Sequence, residues 1–192
     1  LGSHFIRLFS ISESSYESEL VFSRVIEPNV FSYTAIIAAF NEHGEGEKSI
    51  LMFHRMQEAN VGRDEYVYVL GLNSCAMMSS LSLGKHIHAQ IHGNDAESDV
   101  FVCNALIDMY AKCRNIDEGC KVFNTMPLRD VAVYGAMISL YVDEGHATHI
   151  FTLLGKMLEE GIIPSPSILS SFLKACIVVD DVAVLHYYVI TE

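Results

Sequence analysis

Residues 100–130 read VFVCNALIDMYAKCRNIDEGCKVFNTMPLRD, and this stretch carries the pattern that organises the 192-residue chain. Apolar residues in its first half recur at the spacing of an amphipathic helix, at Val102, Ala105, Leu106, Met109 and Tyr110. The segment CRN at 113–115 interrupts that pattern, and a second helical stripe containing Cys120 and Phe123 follows and ends at Pro127. The stretch therefore predicts two helices joined by a short turn.

The same pattern returns along the chain. PNVFSYTAIIAAF (28–40) aligns with SDVFVCNALIDMY (98–110) and RDVAVYGAMISLY (129–141), and LGLNSCAMMSSLSLG (70–84) aligns with SFLKACIVVDDVAVL (171–185). These alignments divide the chain into six units of regular length, namely 1–29, 30–64, 65–99, 100–130, 131–165 and 166–192. The first and last units are incomplete, so we expect a single array that is a fragment of a longer protein.

Composition restricts the classes of protein that this chain can be. Hydrophobic residues make up 51% of the chain and the mean hydropathy is +0.28, yet no apolar run approaches the ~18 residues that a membrane span needs. Stacked helix pairs account for this hydrophobicity, because each pair buries its apolar face on its neighbours in an all-α solenoid. The net charge of −12 argues against nucleic-acid binding, which normally relies on Lys and Arg.

Two groups of residues raise the question of a metal site. Cys103, Cys113 and Cys120 fall on the first helix, the turn and the second helix of one unit, a spacing that matches no zinc pattern. The chain has five cysteines and no CxxC motif, which favours free thiols in a reducing compartment and small core side chains. The histidines of H-x-H-x3-H at 86–92 lack further ligands in the sequence, so we predict neither a metal nor another cofactor.

Residues 100–130 resemble the short motif of plant organellar pentatricopeptide repeat proteins of the PLS subclass. Residues 30–64 and 131–165 resemble the P motif of that family, and residues 65–99, with LGKHIHAQI, resemble its long motif. Tetratricopeptide repeats are the nearest alternative, but their W-x2-L-G-x2-Y pattern is absent and the chain has no Trp. The resemblance implies a right-handed superhelix of helix pairs.

The resemblance also implies a function, which is sequence-specific binding of single-stranded RNA at one base per repeat. It places the protein in a mitochondrion or chloroplast, as a specificity factor for RNA processing such as C-to-U editing, with RNA-editing accessory proteins as further partners. It implies no enzymatic activity in this chain, no DNA binding and no membrane association.

The family reads each base with the fifth and the last residue of a motif. Carried over, the pairs are Ser3 with Asn29, Thr34 with Asp64, Val69 with Asp99, Asn104 with Asp130, and Gly135 with Ser165, and Ser170 begins a sixth. A carboxylate only accepts hydrogen bonds and suits the ring N–H of G or U, whereas Asn donates and accepts and suits A or C. The predicted target is 5′-A-G-N-U-N-3′, and the positions with Val69 and Gly135 should discriminate poorly.

The second residue of each motif flanks the base in this family. The corresponding residues here are Phe31, Tyr66, Phe101, Ala132 and Ser167. The three aromatic side chains either stack on bases or pack between adjacent repeats, and the sequence favours neither interpretation. Lys112 matches a family position that contacts phosphate, where the other repeats have Glu42, Met77 and Asp143, so the affinity of this chain alone is expected to be weak.

Two other functions compete with RNA binding. A helical scaffold for protein partners is favoured by the acidity and by the irregular pair Gly135 and Ser165. The pairs Thr34 with Asp64 and Asn104 with Asp130 favour RNA, because a scaffold has no need for them. An enzyme is third, since HGE at 43–45 matches only half of a zinc deaminase signature and the P-C-x-x-C half is absent.

Overall fold

The computed structural model describes residues 15–126 and 128–178. Within these ranges the chain forms ten α-helices and one 3₁₀-helix and contains no strand. The helices are α1 (Ser15–Ser23), α2 (Val30–Glu42), α3 (Gly46–Glu58), α4 (Glu65–Met77), α5 (Leu81–Ile91), α6 (Val100–Lys112), α7 (Ile116–Thr125), α8 (Val131–Asp143), α9 (Ala147–Glu159) and α10 (Pro166–Val178). The 3₁₀-helix, Asp95–Ser98, lies between α5 and α6.

The helices alternate between two layers. The even-numbered helices α2, α4, α6, α8 and α10 each have 13 residues, and each packs against the next even-numbered helix. The odd-numbered helices α3, α5, α7 and α9 pack chiefly against even-numbered ones. We call the even-numbered helices the inner layer, because direct packing brings them closer together than the outer helices and places them on the inside of the curve. The predicted all-α solenoid is confirmed.

The turn between the two helices of a pair has the same backbone geometry four times. A residue in the left-handed conformation follows the inner helices α2, α4, α6 and α8, at Gly44, Ser79, Arg114 and Gly145, which are 35, 35 and 31 residues apart. The next residue donates its N–H to a carbonyl five residues earlier, for example Asn115 to Tyr110 at 2.9 Å. This is the Schellman termination of a helix, and it turns the chain back toward its partner helix. The interruptions read from the sequence fall at these turns.

The core lies between the two layers and is made of large side chains. Its largest fully buried members include Tyr110, Tyr134, Phe40, Phe53 and Ile36. A small polar network joins three helices within the core. Ser74 of α4 donates to Asn41 of α2 at 2.8 Å, lies 2.7 Å from the hydroxyl of Ser49 of α3, and is fully buried. Because these groups satisfy one another, the network fixes the register of the helices without leaving a buried polar atom unpaired.

The 3₁₀-helix is an element that the two-helix pattern did not predict. Asn94 caps it by accepting from the N–H of Ala96 at 2.9 Å. The carboxylate of Glu97 accepts from the N–H of Gly93 at 2.9 Å and pairs with His92 at 2.6 Å, and these contacts hold the pKa of Glu97 below its usual value. Ala96 is buried. Polar side chains therefore order a segment in which no apolar periodicity is visible.

The described helices are short. None of those in residues 15–126 and 128–178 has the length and apolar character needed to cross a membrane.

Replacing glycine by alanine should change the stability of the chain in opposite directions at two positions in inner helices. A methyl group on Gly71 would lie 2.9 Å from the Phe53 ring and 3.1 Å from Ile87, whereas one on Gly135 would meet only Ile168 at 3.7 Å. We expect Gly135→Ala to stabilise the chain by about 1 kcal/mol, because alanine favours helix over glycine. Gly71→Ala is expected to destabilise it by about 1 kcal/mol, since overpacking outweighs the same propensity gain.

Thermal unfolding measures both effects, as melting-temperature shifts of about 2–4 °C in opposite directions for a chain of this size. A rise in melting temperature for both variants would contradict the close packing of Gly71 against Phe53.

Candidate nucleic-acid interface

Four of the five residues predicted to read bases from the ends of the repeats are N-caps of inner helices. The side-chain Oδ1 of each accepts a hydrogen bond from the first turn of the helix, at Asn29 (from Ser32 N, 3.1 Å), Asp64 (from Val67 N, 3.0 Å), Asp99 (from Val102 N, 3.0 Å) and Asp130 (from Ala132 N at 3.0 Å and Val133 N at 2.9 Å). The residue types and their position before an apolar run are those of helix N-caps. This structural role was missed when the residues were assigned only to base reading.

Capping leaves one polar atom of each side chain for another partner. An oxygen must face the backbone N–H groups, so an aspartate keeps Oδ2, which can only accept, and an asparagine keeps Nδ2, which can only donate. Asp64 and Asp130 are exposed, and Asn29 is exposed as well. The capping bond therefore makes Asp and Asn opposite in hydrogen-bonding character at this position, although the two side chains have the same shape.

The structure brings one predicted pair into direct contact. The amide Nδ2 of Asn104 donates to Oδ2 of Asp130 at 3.4 Å, a long hydrogen bond between α6 and the residue before α8. The amide Oδ1 of Asn104 is buried with no donor in the described residues. The pair thus presents a carboxylate oxygen with a free lone pair beside an amide N–H.

The equivalent residue of the second repeat presents a different set of atoms. The hydroxyl of Thr34 points back along α2 and has the carbonyl oxygens of Val30 and Phe31 at 2.9 and 3.1 Å. Its single proton is therefore used within the helix, and the oxygen can only accept further bonds. Thr34 and the free Oδ2 of Asp64 together offer two acceptors.

The remaining residues that were predicted to read bases offer fewer hydrogen-bonding atoms. Val69 is half-buried and apolar, and Gly135 has no side chain. Ser165 has only one side-chain oxygen, which lies 2.8 Å from the hydroxyl of Ser167 and accepts weakly from the N–H of Ile168 at 3.4 Å. Ser170 is exposed on α10, and Ser3 lies outside the described residues.

The three aromatic residues at the starts of inner helices project into solvent. The exposed fraction is 72% for Phe31, 55% for Tyr66 and 74% for Phe101. This exposure favours the interpretation that the rings stack on a ligand over the one in which they pack between adjacent repeats. Their exposure follows from their place in the first turn of the helix, ahead of the residues that the neighbouring helices cover.

An open groove of about 570 Å³ lies on the inner layer between α6, α8 and α10. Lys112, the predicted phosphate contact, lines it together with Arg114, Gly135, Ser139 and Ser167. Two carboxylates, Asp108 and Asp143, also line the groove. In the described part of the chain neither Lys112 nor Arg114 forms an ion pair, whereas Lys48, Lys121 and Arg129 do.

The histidines and cysteines considered as metal ligands are not brought together. His88 bonds to Tyr110 at 2.7 Å and burial lowers its pKa, while His92 pairs with Glu97. The five cysteines all fall in the described residues and are free thiols, with Cys120 contacting Tyr141 at 2.9 Å. Among residues 15–126 and 128–178 no three His, Cys, Asp or Glu side chains are placed to hold a metal ion.

The capping role is testable by changing Asp130. Asp130→Ala removes both capping bonds and is expected to cost about 1 kcal/mol of unfolding free energy. Asp130→Asn keeps the capping oxygen and loses only the favourable charge at the helix N-terminus, a cost of about 0.5 kcal/mol. Urea unfolding measures both. Asp143→Ala, at the other end of α8, is the control and should not destabilise, and equal losses for Asp130→Ala and Asp130→Asn would contradict the capping assignment.

Comparison with known proteins identifies the repeat. The family model for the PPR repeat matches residues 31–61, 101–131 and 132–162. A chloroplastic pentatricopeptide repeat-containing protein of Arabidopsis thaliana is 35% identical over 156 residues, which cover 81% of this chain and 25% of the relative. A mitochondrial one is 33% identical over 145 residues, covering 76% of this chain and 16% of the relative. The chain thus spans a quarter or less of the length of these relatives.

Solved structures share the fold. The pentatricopeptide repeat protein PPR10 from maize, in complex with an 18-nt psaJ RNA element, superposes with a TM-score of 0.53 at 14% identity, covering 97% of this chain and 32% of that one. The nuclear proteinaceous RNase P 2 of A. thaliana gives a TM-score of 0.70 at 13% identity, covering 100% of this chain and 46% of that one. At such identities the likeness concerns the fold alone. The repeat matches and the curated relatives show that the chain belongs to the pentatricopeptide repeat family, and its described residues form an all-helical solenoid.

Proposed function

We propose that this chain is part of a PLS-subclass pentatricopeptide repeat protein and binds single-stranded RNA in a sequence-specific manner, one base per repeat. Its role is recognition, and the chemistry of RNA processing, such as C-to-U editing, is supplied by another domain or by accessory proteins. The observation that carries the proposal is the hydrogen bond between Asn104 and Asp130, since Asn104 lies on the same helix as the exposed ring of Phe101.

The hydrogen-bonding atoms left after capping fit the proposed target 5′-A-G-N-U-N-3′. Two acceptors, from Thr34 and Asp64, match guanine, which has adjacent donors at N1 and N2. An acceptor on Asp130 beside a donor on Asn104 matches uracil, whose N3–H lies between two carbonyl oxygens. The donor Nδ2 of Asn29 matches the ring acceptor of adenine.

The comparisons support this proposal in two ways. PPR10 of maize, which shares the fold, is an RNA-bound protein in its solved complex. Curated relatives are described as chloroplastic or mitochondrial, which supports an organellar location for this protein. The relatives are about four or more times longer than the aligned segment, so other repeats contribute to the target and to the affinity of the whole protein.

A protein-binding scaffold is the second candidate, because the chain has a net charge of −12. Mutual repulsion between a strongly acidic surface and phosphates weakens RNA binding, especially at low salt. The scaffold does not account for exposed aromatic rings at three consecutive repeats beside polar atoms left free by capping. We therefore favour RNA as the ligand.

Base identity is tested by fluorescence anisotropy with short RNAs at two salt concentrations. We expect tighter binding to an RNA that carries AGNU than to one in which the G and the U are exchanged. Asp64→Asn keeps the cap but turns an acceptor into a donor, so preference at that position should shift from G toward A by about 1–3 kcal/mol.

Two other binding results would contradict the proposal in different ways. Equal, weak, salt-sensitive binding of both RNAs would leave a generic RNA surface and contradict base reading. No binding at low salt, by this chain and by a longer one with the flanking repeats, would favour the scaffold. Thermal unfolding of Asp64→Asn serves as the control for an intact fold.

Stacking is tested separately with Phe101→Ala. Since the ring is 74% exposed, its removal should leave the melting temperature unchanged. The RNA affinity should fall by about 1–3 kcal/mol whichever base lies opposite, because stacking does not depend on base identity. Leu128→Ala, which removes a side chain that is 69% exposed in a loop, is the matched control and should bind as well as the parent. Equal affinity for both variants would contradict stacking on Phe101.

A further inference from the structure

Arg114 occupies a backbone position that favours glycine. The four equivalent turns have Gly44 and Gly145 with φ of 73° and 72°, and Ser79 and Arg114 with φ of 49° and 53°. A side chain with a Cβ is strained in this left-handed region, and glycine is not. The turn itself does not require arginine, because the N–H of Arg114 reaches Ala111 at 3.0 Å and that of Gly145 reaches Val142 at 3.1 Å.

Since the turn does not require arginine, the backbone strain at this residue suggests that its side chain has a function. Arg114 lines the groove on the inner layer together with Lys112, and neither forms an ion pair within the described residues. The basic residues that are ion-paired lie elsewhere, as in the contact of Arg129 with Glu160 at 3.1 Å. The groove therefore has two cations that are not neutralised by direct contact with a carboxylate.

The groove has the size of a small-molecule site, and the predicted reading pair of the repeat 131–165 offers it few atoms for base recognition. Its volume of about 570 Å³ lies within the ~300–1,000 Å³ of pockets that hold small ligands, and a nucleotide falls in that class. Gly135, which has no side chain, lines this groove, and the only side-chain oxygen of its predicted partner Ser165 is engaged by Ser167 and Ile168. The predicted reading pair of this repeat, Gly135 and Ser165, therefore gives a nucleotide in the groove little base selection.

We propose that this groove binds the phosphodiester of one nucleotide between Arg114 and Lys112, without selecting its base. The inference rests on the proposed RNA-binding function and adds Arg114 to the single phosphate contact expected from the sequence. The guanidinium group suits this role because its planar donors match two phosphate oxygens. Asp108 and Asp143 in the same groove oppose the phosphate, so the contact depends on both cations being present.

The test uses Arg114→Gly, which removes the cation and relieves the backbone strain at once. We expect the melting temperature to stay equal or rise, while RNA affinity falls and the slope of log affinity against log salt becomes shallower by about 0.7, the value for one phosphate contact on a single strand. The preference for G opposite Thr34 and Asp64 should not change. Asn60→Gly relieves a comparable strain, at φ of 52°, outside the groove and without removing a charge, and it should leave the salt slope unaltered.

A second control separates a local contact from a general effect of charge. Arg55→Gln removes one positive charge from the exposed side of the outer helix α3 and should leave the slope unchanged. An Arg114→Gly slope equal to that of the parent, with RNA binding intact, would overturn the phosphate site and leave the proposed function standing. A shallower slope for Arg55→Gln as well would overturn it too. Absence of RNA binding at low salt, both by the parent chain and by a longer chain with the flanking repeats, would instead overturn the proposed function.

Discussion

The free N–H groups at the start of each inner helix impose a constraint on which the rest of the structure depends. A helix leaves its first N–H groups without partners, and in this chain Asn29, Asp64, Asp99 and Asp130 accept from them. Each of these residues has two polar side-chain atoms, so capping uses one and leaves the other at the edge of the inner layer. A single residue can thereby serve both the fold and the proposed reading of a base. Ser165 has one polar atom and cannot serve both.

The distribution of charge follows from the two-layer packing. A helix pair inside the array is covered on both faces by neighbouring pairs, so its charged side chains are favoured in the turns, on the outer surface and in the inner groove. Lys48 and Lys121 lie on outer helices and are neutralised by acidic neighbours, at 2.8 Å from Glu45 and 3.0 Å from Glu118. The net charge of −12 thus describes the whole surface and does not describe the groove, where Lys112 and Arg114 are unpaired within the described residues.

The sequence predicted the fold well but did not reveal several structural features of the candidate site, for physical reasons. Helix pairs were predictable because apolar periodicity and turn residues are local signals, and the turns fall at 44, 79, 114 and 145 as the repeats require. The 3₁₀-helix at 95–98 was not, since it depends on contacts between polar side chains rather than on periodicity. The exposure of Phe31 and Phe101 depends on how the neighbouring helix packs, which composition does not reveal. The capping role was visible, as Asp or Asn before an apolar run, but the same residues had already been assigned to RNA.

The irregular repeat at 131–165 has a consequence for how the array would select its ligand. Exposed aromatic residues and capping residues with a spare polar atom occur together in the repeats from 30 to 130, and both are missing where Ala132, Gly135 and Ser165 stand. Specificity is a difference between affinities, so a repeat that holds any nucleotide by its phosphate adds affinity without adding discrimination. Such a repeat keeps the RNA in register with the repeats that do discriminate. In the proposed mode of binding, the selective and unselective repeats are complementary, and Arg114 would hold the phosphate between them.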